Sequence, residues 1–193
     1  MQDYNLFPTL VRRIENFLSK EEIDRINAYK PNLSPHNALS GNAISSHSVK
    51  SVILSDMNHI VSLNDRICEI VNEFRKQYGI MKLEIDNSWM NVQEPDSKLN
   101  FHSHPDSVIS GAIYVNVDDD SSKLYFYNPN PYVDYVNYFN DPEMHTYLNY
   151  KTIYLKPNNG DLILFPSWIR HGSEDLNKTI HRTVISFNTK YEQ

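Results

Sequence analysis

The chain has 193 residues, of which 40% are hydrophobic, which is enough for one globular domain with a buried core. The formal net charge is −6 and no run of Lys or Arg is longer than two, which argues against nucleic acid as a partner. A single cysteine excludes an intrachain disulfide, and no apolar stretch reaches the roughly 18 residues that span a bilayer. We therefore expect one domain over 1–193 in a soluble, cytoplasmic protein without a membrane partner. The oligomeric state is not predicted.

Residues 1–80 are predicted to form a helical support region. Ser19 and Glu22 form a capping box, in which each side chain accepts from the backbone amide of the other residue, and the helix that follows stops before Pro31. Apolar residues at helical spacing predict a second helix over about 56–78.

After residue 80 the pattern changes to short extended segments separated by turn residues. This order predicts a mainly β fold with flanking helices. The core, residues 81–193, would be a double-stranded β-helix (jelly-roll) barrel, buttressed by the two N-terminal helices. The predicted strands are Leu83–Gln93, Val108–Val117, Lys123–Tyr127, Thr152–Leu155, Asp161–Pro166 and His181–Lys190.

Two segments are predicted to be loops. Residues 32–51 are polar and rich in turn formers. Residues 128–150 hold Tyr132, Tyr135 and four further aromatic residues among Asn, Asp and Pro. A loop of that length is typical of a lid or binding loop, but an aromatic cluster packed on the barrel is an equally good interpretation.

The central motif is His102-Ser103-His104. Residues two apart on a strand point to the same face, so both imidazoles can converge on one ion. His171 follows an apolar strand and would supply a third imidazole. Eleven residues later comes Arg182, which by strand alternation shares a face with Ser186.

This order of residues predicts a particular chemistry. Iron(II) in oxygenases takes imidazole and carboxylate ligands on one face of its coordination sphere. The remaining positions can accept the keto acid end of 2-oxoglutarate, a cosubstrate, and then O2. The far carboxylate of 2-oxoglutarate needs a buried cation, and the planar fork of Arg182 matches a carboxylate, with the Ser186 hydroxyl adding a hydrogen bond. Tyr114 either reaches the same carboxylate or packs in the barrel.

These motifs also carry a family resemblance. The chain resembles the 2-oxoglutarate/Fe(II) oxygenases of the prolyl-4-hydroxylase-like dioxygenase superfamily, a group frequent in marine bacteria and their phages. The resemblance implies a dioxygenase that hydroxylates a peptidyl or small-molecule substrate and releases succinate and CO2. It rests on Ser88-Trp89-Met90-Asn91, His102-Ser103-His104-Pro105, Ser110 to Val115, Gly160 to Trp168 with His171-Gly172, and Arg182 with Ser186-Phe187-Asn188.

Some choices stay open. The narrower family has a motif that resembles His-x-His-Pro at this place, which His102-Ser103-His104-Pro105 matches. The wider superfamily uses His-x-Asp, which His104-Pro105-Asp106 also matches. We favour His102, His104 and His171 as metal ligands, with Asp106 as the alternative. A metal-dependent cupin without 2-oxoglutarate, or a non-enzymatic jelly-roll binding module, remains as a competing function. The remaining histidines have no such partners at the predicted site: His36, His47, His59, His145 and His181. Of these, His181 is interpreted as structural.

Overall fold

The computed structural model describes residues 1–2, 7–49, 52–136 and 148–192. Eleven strands and four α-helices are defined within these residues. The helices are α1 (Lys20–Ala28), α2 (Ile53–Val61), α3 (Leu63–Phe74) and α4 (Val133–Val136), and a 3-10 turn covers Arg75–Tyr78. The strands are β1 (Arg12–Ile14), β2 (Leu39–Ser40), β3 (Ala43–Ser45), β4 (Leu83–Gln93), β5 (Lys98–Leu99), β6 (Ile109–Asn116), β7 (Leu124–Tyr127), β8 (Thr152–Leu155), β9 (Leu162–Pro166), β10 (His171–Gly172) and β11 (Arg182–Tyr191).

The strands form two main antiparallel sheets. The large sheet has the order β1-β9-β6-β11-β4-β3, and the small sheet has the order β10-β7-β8. Strands β2 and β5 pair separately. This mainly β jelly-roll architecture confirms the predicted fold class, and all six predicted strands are present within two residues of their predicted ends.

The two faces of the large sheet bury different partners, because successive strand residues point to opposite sides. One face packs on the helices, in a core that includes Ile67 and Phe74 of α3 and Ile185 of β11. The other face packs on the small sheet through residues such as Tyr114 of β6 and Phe126 of β7. The space between the two sheets is therefore the interior of the barrel.

The N-terminal helices differ from the prediction in one respect. The capping box at Ser19 is present, with both reciprocal hydrogen bonds to Glu22. The predicted second helix, however, is two helices, because Ser62 adopts a left-handed conformation with φ 48° between α2 and α3. None of the helices in the described part of the chain is long and apolar enough to cross a membrane.

The predicted loops also need correction. Residues 32–51 contribute β2 and β3, and β3 extends the edge of the large sheet beside β4. In the aromatic segment, Tyr132 and Tyr135 are exposed around the short helix α4. The predictions for Tyr138, Phe139, His145 and Tyr147 fall outside the described residues.

Candidate active site

A cavity of about 160 Å³ lies between the two sheets. Its walls come from the inward face of β4, β6 and β11 in the large sheet, and from β7 and β10 in the small one. Six of the residues singled out in the sequence line it: His102, His104, Tyr114, His171, Arg182 and Ser186. The fold thus brings residues from four separate segments to one cavity.

Three imidazoles converge at one part of this cavity. His102, His104 and His171 each offer a ring nitrogen, and these three atoms lie within 4.8 Å of one another. The ring centroids of His102 and His171 are 4.5 Å apart, and those of His104 and His171 are 5.2 Å apart. We call this group the histidine triad. Its spacing suits three ligands of one metal ion.

Backbone carbonyls orient two rings of the triad. The Nδ1 of His102 lies 2.8 Å from the carbonyl oxygen of Asn100, and the Nδ1 of His171 lies 3.0 Å from that of Ile169. Because a carbonyl only accepts, each Nδ1 must carry the proton and donate. The lone pair of each ring is then on Nε2, as in metal-binding histidines whose other nitrogen is held by a carbonyl.

Burial keeps the triad neutral. Burial first, and the neighbouring His102 second, lower the pKa of His171 to about 3 and that of His104 to about 4. Burial also lowers the pKa of His102. Neutral imidazoles are the form that binds metal, so the donor set fits a divalent transition metal such as iron(II).

Asp106 lies outside this group. Its side chain is exposed and lines a separate groove with Trp168 and Tyr191. Among the described residues, the only His, Cys, Asp or Glu side chains that converge in this way are those of the histidine triad. The structure therefore brings His102, and not Asp106, together with His104 and His171.

Arg182 is buried beside the cavity, with 6% of its surface exposed. It is held against the Tyr114 ring, 5.6 Å from its centroid, and its Nη1 donates to the side-chain oxygen of Gln93. None of the salt bridges found within the described ranges involves Arg182, and its buried Nε has no hydrogen-bond partner there. A buried cation with an unused donor fits a carboxylate ligand.

Tyr114 and Ser186 add polar groups to the lining of the same cavity. Burial raises the pKa of Tyr114 to about 12, against the opposing effect of Arg182, so the phenol keeps its proton and can donate. Ser186 also lines the cavity, and it lies four residues along β11 from Arg182. The strand alternation that predicted a shared face for Arg182 and Ser186 is therefore seen in the structure.

Sequence reasoning missed three cavity residues that lie near the triad. The cavity is also lined by His36, His47 and Trp89. The ring centroids of His36 and His47 are 4.5 Å apart, and those of His47 and Trp89 are 4.8 Å apart. The Trp89 ring lies 6.0 Å from that of His104. The prediction that His36 and His47 have no partners at the site was wrong. His181, by contrast, is exposed and contacts Glu94.

Comparison with known protein families gives one match. The model of the family described as "Putative 2OG-Fe(II) oxygenase" matches residues 87–188, which contain the triad and Arg182. A search of curated protein sequences found no significant match.

Solved structures with the same fold are also found. A prolyl-4-hydroxylase from Pseudomonas putida aligns with a TM-score of 0.65 at 11% identity, over 96% of this chain and 94% of the other. HygX from Streptomyces hygroscopicus, with nickel, 2-oxoglutarate and hygromycin B bound, aligns with a TM-score of 0.64 at 11% identity, over 95% of this chain and 83% of the other. A viral collagen prolyl hydroxylase from Paramecium bursaria Chlorella virus 1, in complex with 2OG, aligns with a TM-score of 0.55 at 13% identity, over 94% of this chain and 96% of the other. At these identities the likeness concerns the fold.

Proposed function

The chain belongs to the 2OG-Fe(II) oxygenase family, and we propose that the histidine triad holds its iron and that Arg182 anchors its 2-oxoglutarate. The observation that carries this proposal is a combination within one cavity: three neutral imidazoles converge, and a buried arginine with an unused donor lines the same space. A cupin without 2-oxoglutarate would give no role to the buried Arg182.

When bound, iron(II) and 2-oxoglutarate supply dioxygen chemistry, in which the keto acid becomes succinate and CO2 and one oxygen atom is transferred to the substrate. The residues of this chain provide position and surroundings. The carbonyls of Asn100 and Ile169 fix the ring orientation of His102 and His171, so the metal-facing nitrogens need no rearrangement before binding.

The carboxylate of 2-oxoglutarate that lies far from its keto acid end would be held by Arg182. Its guanidinium can donate to a carboxylate, and we propose that the hydroxyls of Tyr114 and Ser186, which line the same cavity, donate to it as well. Hydrogen bonds in a buried site are electrostatically stronger than in water, because the local dielectric constant is lower. The residues proposed for the metal and for the cosubstrate thus line one and the same cavity.

We propose that the substrate reaches the triad past His36, His47 and Trp89. Among the described residues that line the cavity there is no Asp or Glu, and the three rings offer stacking and neutral hydrogen-bonding surface. Such a wall suits an uncharged group of a small molecule or of a peptidyl residue. One structural neighbour is named a prolyl-4-hydroxylase and another carries hygromycin B, so this fold accommodates different substrates.

The test is an anaerobic titration of iron(II) and then 2-oxoglutarate into the apoprotein, followed by the weak visible charge-transfer band of the chelate. Arg182→Ala should raise the 2-oxoglutarate concentration needed for the band, whereas Arg25→Ala, an exposed arginine on α1, should leave it unchanged. His171→Ala should abolish succinate production while the circular dichroism spectrum stays that of a folded protein. Iron binding without the band would contradict the 2-oxoglutarate assignment.

A further inference from the structure

Gln93 presents a buried amide group to the Arg182 end of the cavity. It is the last residue of β4, it is 2% exposed, and it pairs directly across the sheet with Arg182 of β11. The Nη1 of Arg182 donates to the Gln93 side chain. Because a guanidinium only donates, the atom that it contacts must be the amide oxygen. The orientation of the amide is therefore fixed, with Nε2 at the other end.

That Nε2 has no hydrogen-bond partner in the described part of the chain, and the same is true of Arg182 Nε. Both side chains line the cavity. Buried N–H groups are almost always paired, because an unpaired one loses its hydrogen bonds to water without replacement. Two such donors on directly paired residues indicate that an acceptor belongs beside them.

The backbone of Gln93 is held in place by hydrogen bonds from Asn177. The buried side chain of Asn177 donates to the backbone carbonyls of Gln93 at 3.2 Å, Glu94 at 3.1 Å and Thr179 at 2.7 Å. With its backbone held by Asn177 and its amide held by Arg182, Gln93 has little freedom left. A group that is rigid before the ligand arrives loses little entropy on binding.

We propose that Gln93 Nε2 donates to the distal carboxylate of 2-oxoglutarate and thereby selects a keto acid that has a second carboxylate. This proposal rests on the proposed function. A carboxylate offers about four acceptor positions, so it can receive Gln93 Nε2 and the Arg182 fork together. The amide oxygen meanwhile keeps the guanidinium in place. Gln93 therefore acts both as a ligand of the cosubstrate and as a support for Arg182.

The experiment measures the Kd of two keto acids for anaerobic, Fe(II)-loaded protein by isothermal titration calorimetry. 2-Oxoglutarate has the distal carboxylate, and 2-oxobutyrate lacks it. The variants are Gln93→Met, which removes the donor at similar length, and Gln93→Glu, which replaces the donor by a charge of nearly identical shape. Gln77→Glu makes the same change at an exposed site on the 3-10 turn and serves as the control.

We expect the Kd of 2-oxoglutarate to rise about tenfold in Gln93→Met, the loss of one hydrogen bond to a charged group. In Gln93→Glu it should rise further, because the new carboxylate pairs with Arg182 and repels the ligand. The Kd of 2-oxobutyrate should change less than about threefold in both variants, and Gln77→Glu should bind both keto acids like the wild type.

The outcomes separate this inference from the proposed function. If the wild type binds 2-oxoglutarate and both Gln93 variants bind it with unchanged Kd, the inference is overturned while the proposed function stands. An equal loss for both keto acids would also overturn it, because the effect would then be a general disturbance of the site. If the wild type does not bind 2-oxoglutarate, the proposed function itself fails. Should Gln93→Met not fold, Gln93→Leu removes the same donor without adding a charge and gives the same discrimination.

Discussion

His102 and His171 lie directly opposite each other, and the backbone N–H of each donates to the carbonyl oxygen of the other, at 3.0 and 2.9 Å. Two candidate metal ligands from distant parts of the sequence are thus fixed by one reciprocal pair of backbone hydrogen bonds. The third, His104, is tied by its backbone N–H to the carbonyl of Ser167 at 2.9 Å. The spacing of the triad therefore depends on how closely these backbone segments approach.

Gly172→Ala should disturb that approach. A Cβ at residue 172 would lie 2.9 Å from the Leu99 carbonyl oxygen and 2.9 Å from the Phe101 backbone, so the segment with His171 would have to move away. We expect iron(II) affinity to fall about tenfold or more, comparable to the loss of a group that orients a ligand. The free energy of unfolding should fall by about 1–3 kcal/mol.

Calorimetric metal titration and urea denaturation measure these two effects. Gly79→Ala is the control, because a Cβ there meets nothing within 4 Å, although its φ of +63° makes some loss of stability expected. It should keep the metal affinity of the wild type. Unchanged affinity in Gly172→Ala would show that the spacing of the triad does not depend on this contact.

The choice between His102 and Asp106 as ligand can be tested directly. His102→Ala removes one of the converging nitrogens, and we expect iron(II) affinity to fall by at least about a hundredfold. Asp106→Ala changes an exposed side chain in a different groove, so the affinity should stay within about twofold of the wild type. The reverse pattern in metal titrations of the two variants would make Asp106 the ligand.

The sequence predicted those parts of the site that depend on local spacing. His102 and His104 share a face because they are two residues apart, and the same alternation joins Arg182 with Ser186. Gln93 could not be assigned to the site in the same way. Alternation on β4 places it on a face with Trp89, but its position opposite Arg182 depends on the register between β4 and β11.

The parts that were missed depend on irregular backbone. His36 and His47 lie in a polar segment without apolar periodicity, and the pairing of β2 with β5 and of β3 with β4 brings this segment to the cavity. The division between α2 and α3 was missed for the opposite reason. Apolar residues continue at helical spacing on both sides of Ser62, so the pattern gave no sign of a left-handed residue there.

Ser62→Gly should stabilise the protein. Ser62 has φ 48° and ψ 35°, a conformation that costs a residue with a Cβ about 1–2 kcal/mol but costs glycine little. After the larger backbone entropy of glycine in the unfolded chain is subtracted, we expect the free energy of unfolding to rise by about 0.5 kcal/mol. Ser55→Gly, at an exposed position inside α2, should lower it by about the same amount. Urea denaturation of both variants should therefore give opposite signs, and two decreases would contradict the left-handed junction.

Gly111→Ala should destabilise the large sheet. Gly111 of β6 pairs with Phe187 of β11, and a Cβ at residue 111 would lie 2.2 Å from the Cζ atom of the Phe187 ring. The ring is fully buried in the core beneath the helices, so a shift of the ring disturbs closely packed neighbours. We expect the free energy of unfolding to fall by about 1–3 kcal/mol, measured by urea denaturation.

A double-mutant cycle with Phe187→Leu isolates the cause of this loss. Leucine has a smaller side chain than phenylalanine, so Gly111→Ala should cost less in the Phe187→Leu background than in the wild type. The coupling free energy between the two positions should be about 1 kcal/mol or more, as for residues in direct contact. Strict additivity of the two substitutions would show that the loss does not come from the contact between the added methyl group and the ring.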